Sequence, residues 1–225
     1  MTAFLSVLFE DNHCLAVDKP AGLLTMGDHT GEPTLVDAAR EYLRRKYNKP
    51  GNVFVGVVHR LDRPVSGVVL FARTSKGASR LSEQFRARSV EKTYLAVVEG
   101  MVAPAQGILA DRLAKDRQRN VVSVVDEDDD DGQECRLAYR RIRKLGRFTL
   151  VEIQPETGRS HQIRVQLAAR GWPIVGDRKY GARSHLDGFI GLHAASLVFH
   201  HPVSKERVTV SADLPENWSR LEVLS

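Results

Sequence analysis

Residues 59–71 read HRLDRPVSGVVLF, and this stretch decides the fold. The apolar run 53–58 leads into it, a polar segment containing Pro64 and Gly67 interrupts it, and a second apolar run leaves it. Runs of β-branched residues separated by Pro and Gly predict two buried strands joined by a tight loop. That loop would hold Asp62 on a rigid scaffold and aim its side chain into a cleft. An alternative stays open, since Asp also commonly caps turns by bonding backbone amides.

Similar short runs recur along the chain and end at Gly, Pro, Asp or Asn, so strands dominate the predicted structure. The predicted strands are residues 14–17, 53–58, 68–72, 94–98, 121–125, 148–153 and 197–200. Because these strands do not alternate regularly with helices, we expect an α+β fold.

Three helices are predicted, over residues 35–47, 76–88 and 160–171. Thr34 and Asp37 have the spacing of a capping box at the start of the first helix. Ala78, Leu81 and Phe85 form the apolar face of the second helix. Gly171 can take the left-handed conformation that ends the third.

The chain has 225 residues, 42% of them hydrophobic, and can form one large domain or two small lobes sharing a cleft. It contains no run of about 18 uninterrupted apolar residues, and its first residues do not resemble a signal peptide. We therefore expect a cytoplasmic protein. Cys14 and Cys135 lie far apart and outside any metal-binding spacing, so we expect reduced, structural thiols.

The formal net charge of +5 includes an acidic run, DEDDDD, at residues 126–131. Outside that run, 33 Lys and Arg stand against 22 Asp and Glu, a net charge of +11. Such a surface attracts phosphate backbones, although charge alone does not separate an RNA enzyme from other basic proteins. In the acidic run, Asp131 takes the glycine position of an EF-hand and Leu137 its final glutamate position. We expect a solvated hairpin loop there rather than a metal site.

The segments HRLD and SGVVLFAR, residues 59–62 and 66–73, resemble the central motif of RluA-type RNA pseudouridine synthases. Other segments are similar to motifs of the same family, in the same order. They are VDKPAGL at 17–23, KTYLAVVEG at 92–100, ETGRSHQIRV at 156–165, GDRKYG at 176–181, LHA at 192–194 and HP at 201–202. The motifs fall within residues 14–213. The chain is identified as a member of this family, and we expect one catalytic domain over residues 1–225 without an S4-like RNA-binding domain in front.

The resemblance implies the pseudouridine-synthase fold, a mostly antiparallel mixed sheet with flanking helices and a central RNA-binding cleft. It implies an isomerase that moves the uracil of a uridine in tRNA or rRNA from an N1 to a C5 glycosidic bond. That conversion involves no redox change, so we expect neither a cofactor nor a metal. We expect RNA as the partner, and a monomer with no obligate protein partner.

The resemblance also assigns three catalytic residues. Asp62 would be the nucleophile acting on a uridine flipped out of the RNA. Arg164 would pair with that carboxylate and keep it ionised, since burial alone favours the protonated acid. Tyr94 would stack on the target base, an interaction worth about 1 to 3 kcal/mol. The alternatives left open are a surface arginine at 164 and a core aromatic at 94.

The family assigns the arginine of HRLD, here Arg60, to the gap that the flipped nucleotide leaves. The expected RNA-binding set is completed by Arg63, Lys92, Arg159 and His161. Further phosphate contacts are plausible at Arg80, Arg86, Arg88 and Lys179, although most charged side chains are simply solvated. For His59 we expect a buried structural role rather than acid–base chemistry.

Two positions depart from the family pattern. Val65 stands where Thr is usual, which removes a hydroxyl near the Asp62 loop but keeps a β-branched side chain, so the loop geometry should survive. Gln166 stands where His is frequent.

Two other functions stay open. A glycosidase or nucleosidase would need a second catalytic carboxylate, for which Glu156 is the candidate. A catalytically inactive RNA-binding module of the same fold is the other alternative. The joint presence of Asp62, Tyr94 and Arg164 argues against it, because binding alone does not need all three.

Overall fold

The computed structural model describes residues 5–27, 30–186, 188–216 and 218. Its strands are β1 (Ser6–Glu10), β2 (Cys14–Lys19), β3 (Gly56–Val57), β4 (Ser66–Ala72), β5 (Glu91–Glu99), β6 (Gln106–Asp116), β7 (Val121–Val125), β8 (Gln133–Leu145), β9 (Phe148–Pro155), β10 (Leu192–His200) and β11 (Arg207–Ser211). Its helices are α1 (Leu35–Lys46), α2 (Ser75–Arg86) and α3 (Gln162–Ala169), with a 3-10 turn at Arg178–Tyr180. The α+β class is confirmed.

The chain divides into two compact units. Unit 1 comprises residues 1–91 and 194–214, and unit 2 comprises residues 92–193 and 215–225. The single catalytic domain expected from the motifs stays a prediction.

In unit 1 the strand order is β1-β2-β4-β10, with β3 paired to β4 and β11 paired to β10. The pairs β1–β2, β2–β4, β3–β4 and β10–β11 are antiparallel. Helix α2 packs its predicted face on this sheet, with Leu81 fully buried and Ala78 and Phe85 against the same cluster. That cluster also holds Leu70 of β4 and Phe199 of β10. The sheet therefore supports the loop between β3 and β4, which carries Asp62.

In unit 2 the strand order is β5-β9-β8-β6-β7, and the pairs β5–β9, β9–β8, β8–β6 and β6–β7 are antiparallel. Helix α3 covers one face of this sheet, because Val165 packs with Leu113, Val122 and Cys135 of β6, β7 and β8. The mostly antiparallel sheet and its flanking helices are as predicted.

The helix ends follow the predicted capping chemistry. Thr34 and Asp37 form a reciprocal capping box at the start of α1. At the end of α3, Gly171 has φ +76°. Its N–H donates to the carbonyl of Ala168, and the N–H of Trp172 donates to that of Leu167. These two bonds form a Schellman motif, which satisfies carbonyls that the helix end leaves free.

Three predictions about the fold were inaccurate. The predicted strand 53–58 is reduced to Gly56–Val57. Strands β1, β6, β8 and β11 were not predicted. The acidic run is a largely exposed loop, but it does not close a hairpin, because β6 lies between β7 and β8. The run instead carries the chain across the middle of β6, where Arg112 donates to the carbonyl of Asp129 at 3.0 Å.

Candidate active site

The loop that carries Asp62 is fixed through its backbone. The Thr25 hydroxyl is buried and donates to the carbonyl of Leu61 at 2.9 Å, while the N–H of Leu61 donates back to it at 3.2 Å. After Asp62, the N–H of Val65 donates to the Asp62 carbonyl at 3.1 Å. The backbone of Asp62 therefore helps to close the turn, and its carboxylate is half-buried.

Lys19 lies beneath the same loop and is 0% exposed. Its ammonium donates to the carbonyls of Pro20, Leu23 and Arg63 at 3.0, 2.7 and 3.1 Å. Burial lowers the pKa of Lys19 to about 8, and the nearby Asp62 and Asp18 charges oppose that shift. Lys19 thus joins the VDKPAGL turn to the Asp62 loop and adds a positive charge close to its carboxylate.

Arg63 strengthens the connection between the two motifs. Its side chain donates to the Gly22 carbonyl at 3.0 Å and makes two bonds to the Glu32 carboxylate, at 3.0 and 2.7 Å. The N–H of Gly22 donates in turn to the Arg63 carbonyl at 2.8 Å. The guanidinium is half-exposed, and Arg60 beside it is exposed.

The backbone around position 67 requires a glycine directly after the Asp62 loop. Gly67 has φ +112°, and a Cβ at this position would lie 2.3 Å from the backbone oxygen of Ala194. β4 and β10 approach each other too closely there for any side chain. Val65, which stands where the family usually has Thr, has a buried side chain with 3% exposure.

His59 is half-buried rather than fully buried, and its ring is held by two contacts. Its Nε2 accepts a hydrogen bond from the N–H of Leu70 at 2.8 Å. Its ring stacks on Phe85 with centroids 4.7 Å apart. The imidazole therefore anchors the loop to β4 and α2.

In unit 2, Tyr94 lies on the face of the sheet that α3 covers. Tyr94 pairs with Ile153, and Ile153 pairs with Tyr139. Cys135, four residues from Tyr139 on the same strand, points to the same face, where it packs against Val165 of α3. Tyr94 is half-buried.

Lys92 and Arg159 lie near the turn that precedes α3. Lys92, two residues before Tyr94 on β5, places its Nζ 3.5 Å from the Thr157 carbonyl, at the limit of a hydrogen bond. Arg159 is exposed and donates to the Glu134 carbonyl at 3.2 Å. The Gln162 side chain accepts from the Thr157 hydroxyl at 2.8 Å and from the Arg159 N–H at 3.1 Å, which fixes the turn.

Arg164 is buried at 6% exposure, so the surface-arginine alternative is wrong. Its Nε donates to Asp177 Oδ2 at 2.7 Å and its Nη2 donates to Oδ1 at 2.8 Å. The guanidinium also lies 5.0 Å from the centre of the Tyr180 ring. Two of the five N–H donors of an arginine are thereby used within unit 2. Pairing of Arg164 with Asp62 stays a prediction.

Helix α3 begins at Gln162, so His161 precedes it rather than lying inside the helix predicted over residues 160–171. His161 has φ +54°, and its Nδ1 lies 2.6 Å from the Tyr180 hydroxyl. Gln166, the second departure, is fully buried and donates to Asp111 Oδ2 at 2.6 Å. It also accepts from Gln162 at 3.1 Å, so the substitution is satisfied within a buried polar chain.

The four other basic residues named as possible phosphate contacts differ in their surroundings. Arg80 donates to the Pro202 carbonyl at 2.7 Å and holds α2 to the turn after β10. Arg86 and Arg88 are exposed. Lys179 donates to the Asn120 carbonyl at 2.6 Å.

Lys19, Thr25, Asp177 and Tyr180 were not predicted as site residues. VDKPAGL contains Lys19 and GDRKYG contains Asp177 and Tyr180, so the motifs held a signal for these three. A lone threonine such as Thr25 carries none.

Comparison with known proteins gives a consistent result. The RNA pseudouridylate synthase family matches residues 13–169. The ribosomal large subunit pseudouridine synthase D of Xanthomonas campestris is 41% identical over 96% of this chain and 68% of its own length. The tRNA pseudouridine synthase C of Haemophilus influenzae is 34% identical over 96% of both chains.

Among solved structures, human RNA pseudouridylate synthase domain containing 4 matches with a TM-score of 0.81 and 23% identity, over 96% of this chain and 91% of that one. This likeness shows that the fold is shared. Among the described residues, no helix is both long and apolar enough to cross a membrane. The motifs, the fold and the relatives agree, and the chain belongs to the RluA-type branch of the RNA pseudouridylate synthase family.

Proposed function

We propose that this isomerase converts a uridine of tRNA or ribosomal RNA to pseudouridine, with Asp62 as the catalytic nucleophile. Family membership supports the reaction. The relatives named above, one a ribosomal large subunit enzyme and one a tRNA enzyme, support these two substrate classes. The observation that carries the residue assignment is the rigid Asp62 loop, held by Thr25 and Lys19.

The chemistry requires one carboxylate and no electron transfer. The bond from N1 of uracil to C1′ of ribose breaks, and a bond from C5 to C1′ forms. C5 loses a proton and N1 gains one, so atoms and charge balance. As the nucleophile, the Asp62 carboxylate forms a transient bond to the sugar or to the base, and it is released when the bond from C5 to C1′ has formed. The Lys19 ammonium lies close enough to attract this carboxylate.

Tyr94 and Arg164 complete the proposed catalytic group. Tyr94 would stack on the flipped uracil, and its half-buried ring suits that task better than a closed core position. Arg164 would pair with the Asp62 carboxylate, as the family resemblance implies, and its bonds to Asp177 fix the plane of its guanidinium.

Arg60, Arg63, Lys92, Arg159 and His161 are the proposed RNA-binding residues. Arg60 would occupy the place of the flipped nucleotide, and its exposure fits this role. Arg63 would need to keep its bonds to Glu32 or exchange them for a phosphate. The cytoplasmic location stays a prediction, and it is consistent with tRNA and rRNA as substrates.

Tritium release tests the reaction directly. Bulk tRNA and large-subunit rRNA transcripts, made with tritium at C5 of uridine, would be incubated with the enzyme. Isomerisation releases tritium to water and leaves the RNA chain intact. Carbodiimide treatment and reverse transcription would then locate the modified uridine. Release of free uracil would instead identify a hydrolase, and binding without tritium release would identify an inactive RNA-binding module.

A further inference from the structure

Tyr180 is the last residue of the 3-10 turn Arg178–Tyr180 and contacts three separate parts of unit 2. Its ring lies 5.0 Å from the Arg164 guanidinium. Its hydroxyl lies 2.6 Å from His161 Nδ1 and accepts a hydrogen bond from the Val122 N–H at 3.1 Å. One side chain therefore connects the arginine of α3, the histidine before it and strand β7.

The same turn also supplies Asp177. The N–H groups of Tyr180 and Ala182 both donate to the Asp177 carbonyl, at 3.0 and 3.2 Å, which fixes the spacing of Asp177 and Tyr180. Arg164 thus meets a carboxylate in its own plane and an aromatic ring within cation–π distance, both from one rigid turn. The orientation of the guanidinium is defined from two directions.

The contact with the Tyr180 hydroxyl favours one tautomer of His161. A phenol has one proton, and here its oxygen already accepts from the Val122 N–H. The separation of 2.6 Å from Nδ1 is short for an N–H donor, which favours O–H donation from Tyr180 to the ring nitrogen. A neutral His161 then carries its proton on Nε2.

We propose that Tyr180 is a positioning residue for pseudouridine formation, and this inference rests on the proposed function. Its ring holds Arg164 for the catalytic step, and its hydroxyl holds His161, one of the proposed RNA-binding residues, in one position and one tautomer. The two actions reside in different parts of one side chain, so substitutions can separate them.

Tyr180→Phe removes the hydroxyl and keeps the ring, while Tyr180→Leu removes both. Single-turnover tritium release would be measured against enzyme concentration for each variant. For Phe we expect about 5- to 10-fold weaker half-saturation, as for one lost hydrogen bond, with the saturating rate within about twofold of the parent. For Leu we expect the saturating rate itself to fall, by about 3- to 30-fold. Tyr139, a buried tyrosine that packs on Trp172, provides matched Phe and Leu controls outside the proposed site.

Epistasis separates positioning from general stability. If Tyr180 acts through Arg164, Tyr180→Leu should cause little further loss of rate in an Arg164→Met enzyme. A Leu variant that melts like the parent and keeps the parent's saturating rate would overturn the role of the ring. Equal losses from Leu in both backgrounds would overturn it as well.

NMR of the histidine ring nitrogens tests the hydroxyl without RNA. We expect protonation at Nε2 of His161 in the parent and a mixture of tautomers in Tyr180→Phe. Protonation at Nδ1 in the parent would refute the proposed contact. A parent enzyme that releases no tritium from any RNA would refute the proposed function instead, so the two failures are distinguishable.

Discussion

Arg164 and Asp177 form a two-bond ion pair inside unit 2, with Nε to Oδ2 at 2.7 Å and Nη2 to Oδ1 at 2.8 Å. The two side chains are only 7% and 2% exposed. Removing one partner would leave the other as an uncompensated buried charge. The arginine proposed for catalysis is therefore also part of the stability of unit 2.

Arg164→Met should destabilise the protein by about 3 to 5 kcal/mol, because the Asp177 carboxylate stays buried. Adding Asp177→Asn should recover much of that loss, because the unpaired charge is gone. Urea unfolding of the parent, both single variants and the double variant checks this. Additive losses in the double variant would contradict the ion pair.

Arg164→Lys should keep more stability than Met but lose much of the rate, because an ammonium cannot reproduce two parallel bonds. Single-turnover tritium release, on samples shown to be folded, measures the rate. A Lys variant as fast as the parent would show that the two parallel hydrogen bonds of the guanidinium are unimportant for the rate.

Asp62→Asn should abolish pseudouridine formation while changing the melting temperature and RNA affinity little, since backbone bonds fix the loop. Tritium release and filter binding on one RNA would be compared. Glu41→Gln, a surface carboxylate on α1, serves as the control and should remain active. Substantial turnover by a sequence-verified Asn protein would remove Asp62 from catalysis.

Lys19 should make stability rise with pH in the alkaline range. Its pKa is about 8 when folded, against 10.5 in a model peptide. Below about pH 8 the buried amine is charged, and the cost of burying that charge destabilises the folded protein in full. Between about pH 8 and 10.5 the unfolded chain binds more protons than the folded protein, so the free energy of unfolding rises with pH. The relief amounts to about 3 kcal/mol at most.

Lys19→Met is the reference for this measurement, because it removes the titrating group while other alkaline titrations remain. The free energy of unfolding of the parent minus that of the Met variant should increase across this pH range. A constant difference would mean that Lys19 stays charged in the folded protein throughout.

Gly67→Ala should be strongly destabilising, since its Cβ would lie 2.3 Å from the Ala194 oxygen. Gly100→Ala is the matched control, with φ +81° and no atom within 4 Å of the added Cβ. The control should cost about 1 kcal/mol from backbone strain alone, and Gly67→Ala should cost several-fold more. Equal melting temperatures would refute a close approach of β4 and β10.

RNA affinity should weaken steeply as salt rises, because a basic surface binds phosphates by releasing counterions. A protein with about six phosphate contacts would lose about a thousandfold in affinity between about 50 and 200 mM salt. Binding by the Asp62→Asn protein, which should not turn over, isolates this effect. Affinity nearly independent of salt would argue against RNA as the partner.

The sequence was most informative where local chemistry decides the structure. The capping box at Thr34, the end of α3 at Gly171 and the apolar face at Leu81 were all predictable, because each depends on neighbours a few residues away. Strands β6 and β8 were not predicted. Only one side of each is apolar, and charged residues such as Arg112 and Arg140 interrupt the hydrophobic runs that mark a strand.

The site was predictable as a set of motifs but not as a set of contacts. Asp62 was predictable because it lies in a polar segment between two apolar runs. Lys19 and Thr25, which hold the Asp62 loop, lie about 40 residues away in the chain. Local sequence patterns do not predict contacts over that separation. The same holds for Asp177, which meets Arg164 across a loop.

The bond from the Val122 N–H to the Tyr180 hydroxyl also protects the edge of a sheet. β7 is the last strand in the order of unit 2, and the free N–H groups of an edge strand are templates on which another chain can add a strand. The phenol occupies one of these donors at the second residue of β7. A residue that orients an arginine thus also limits self-association through β-strand addition.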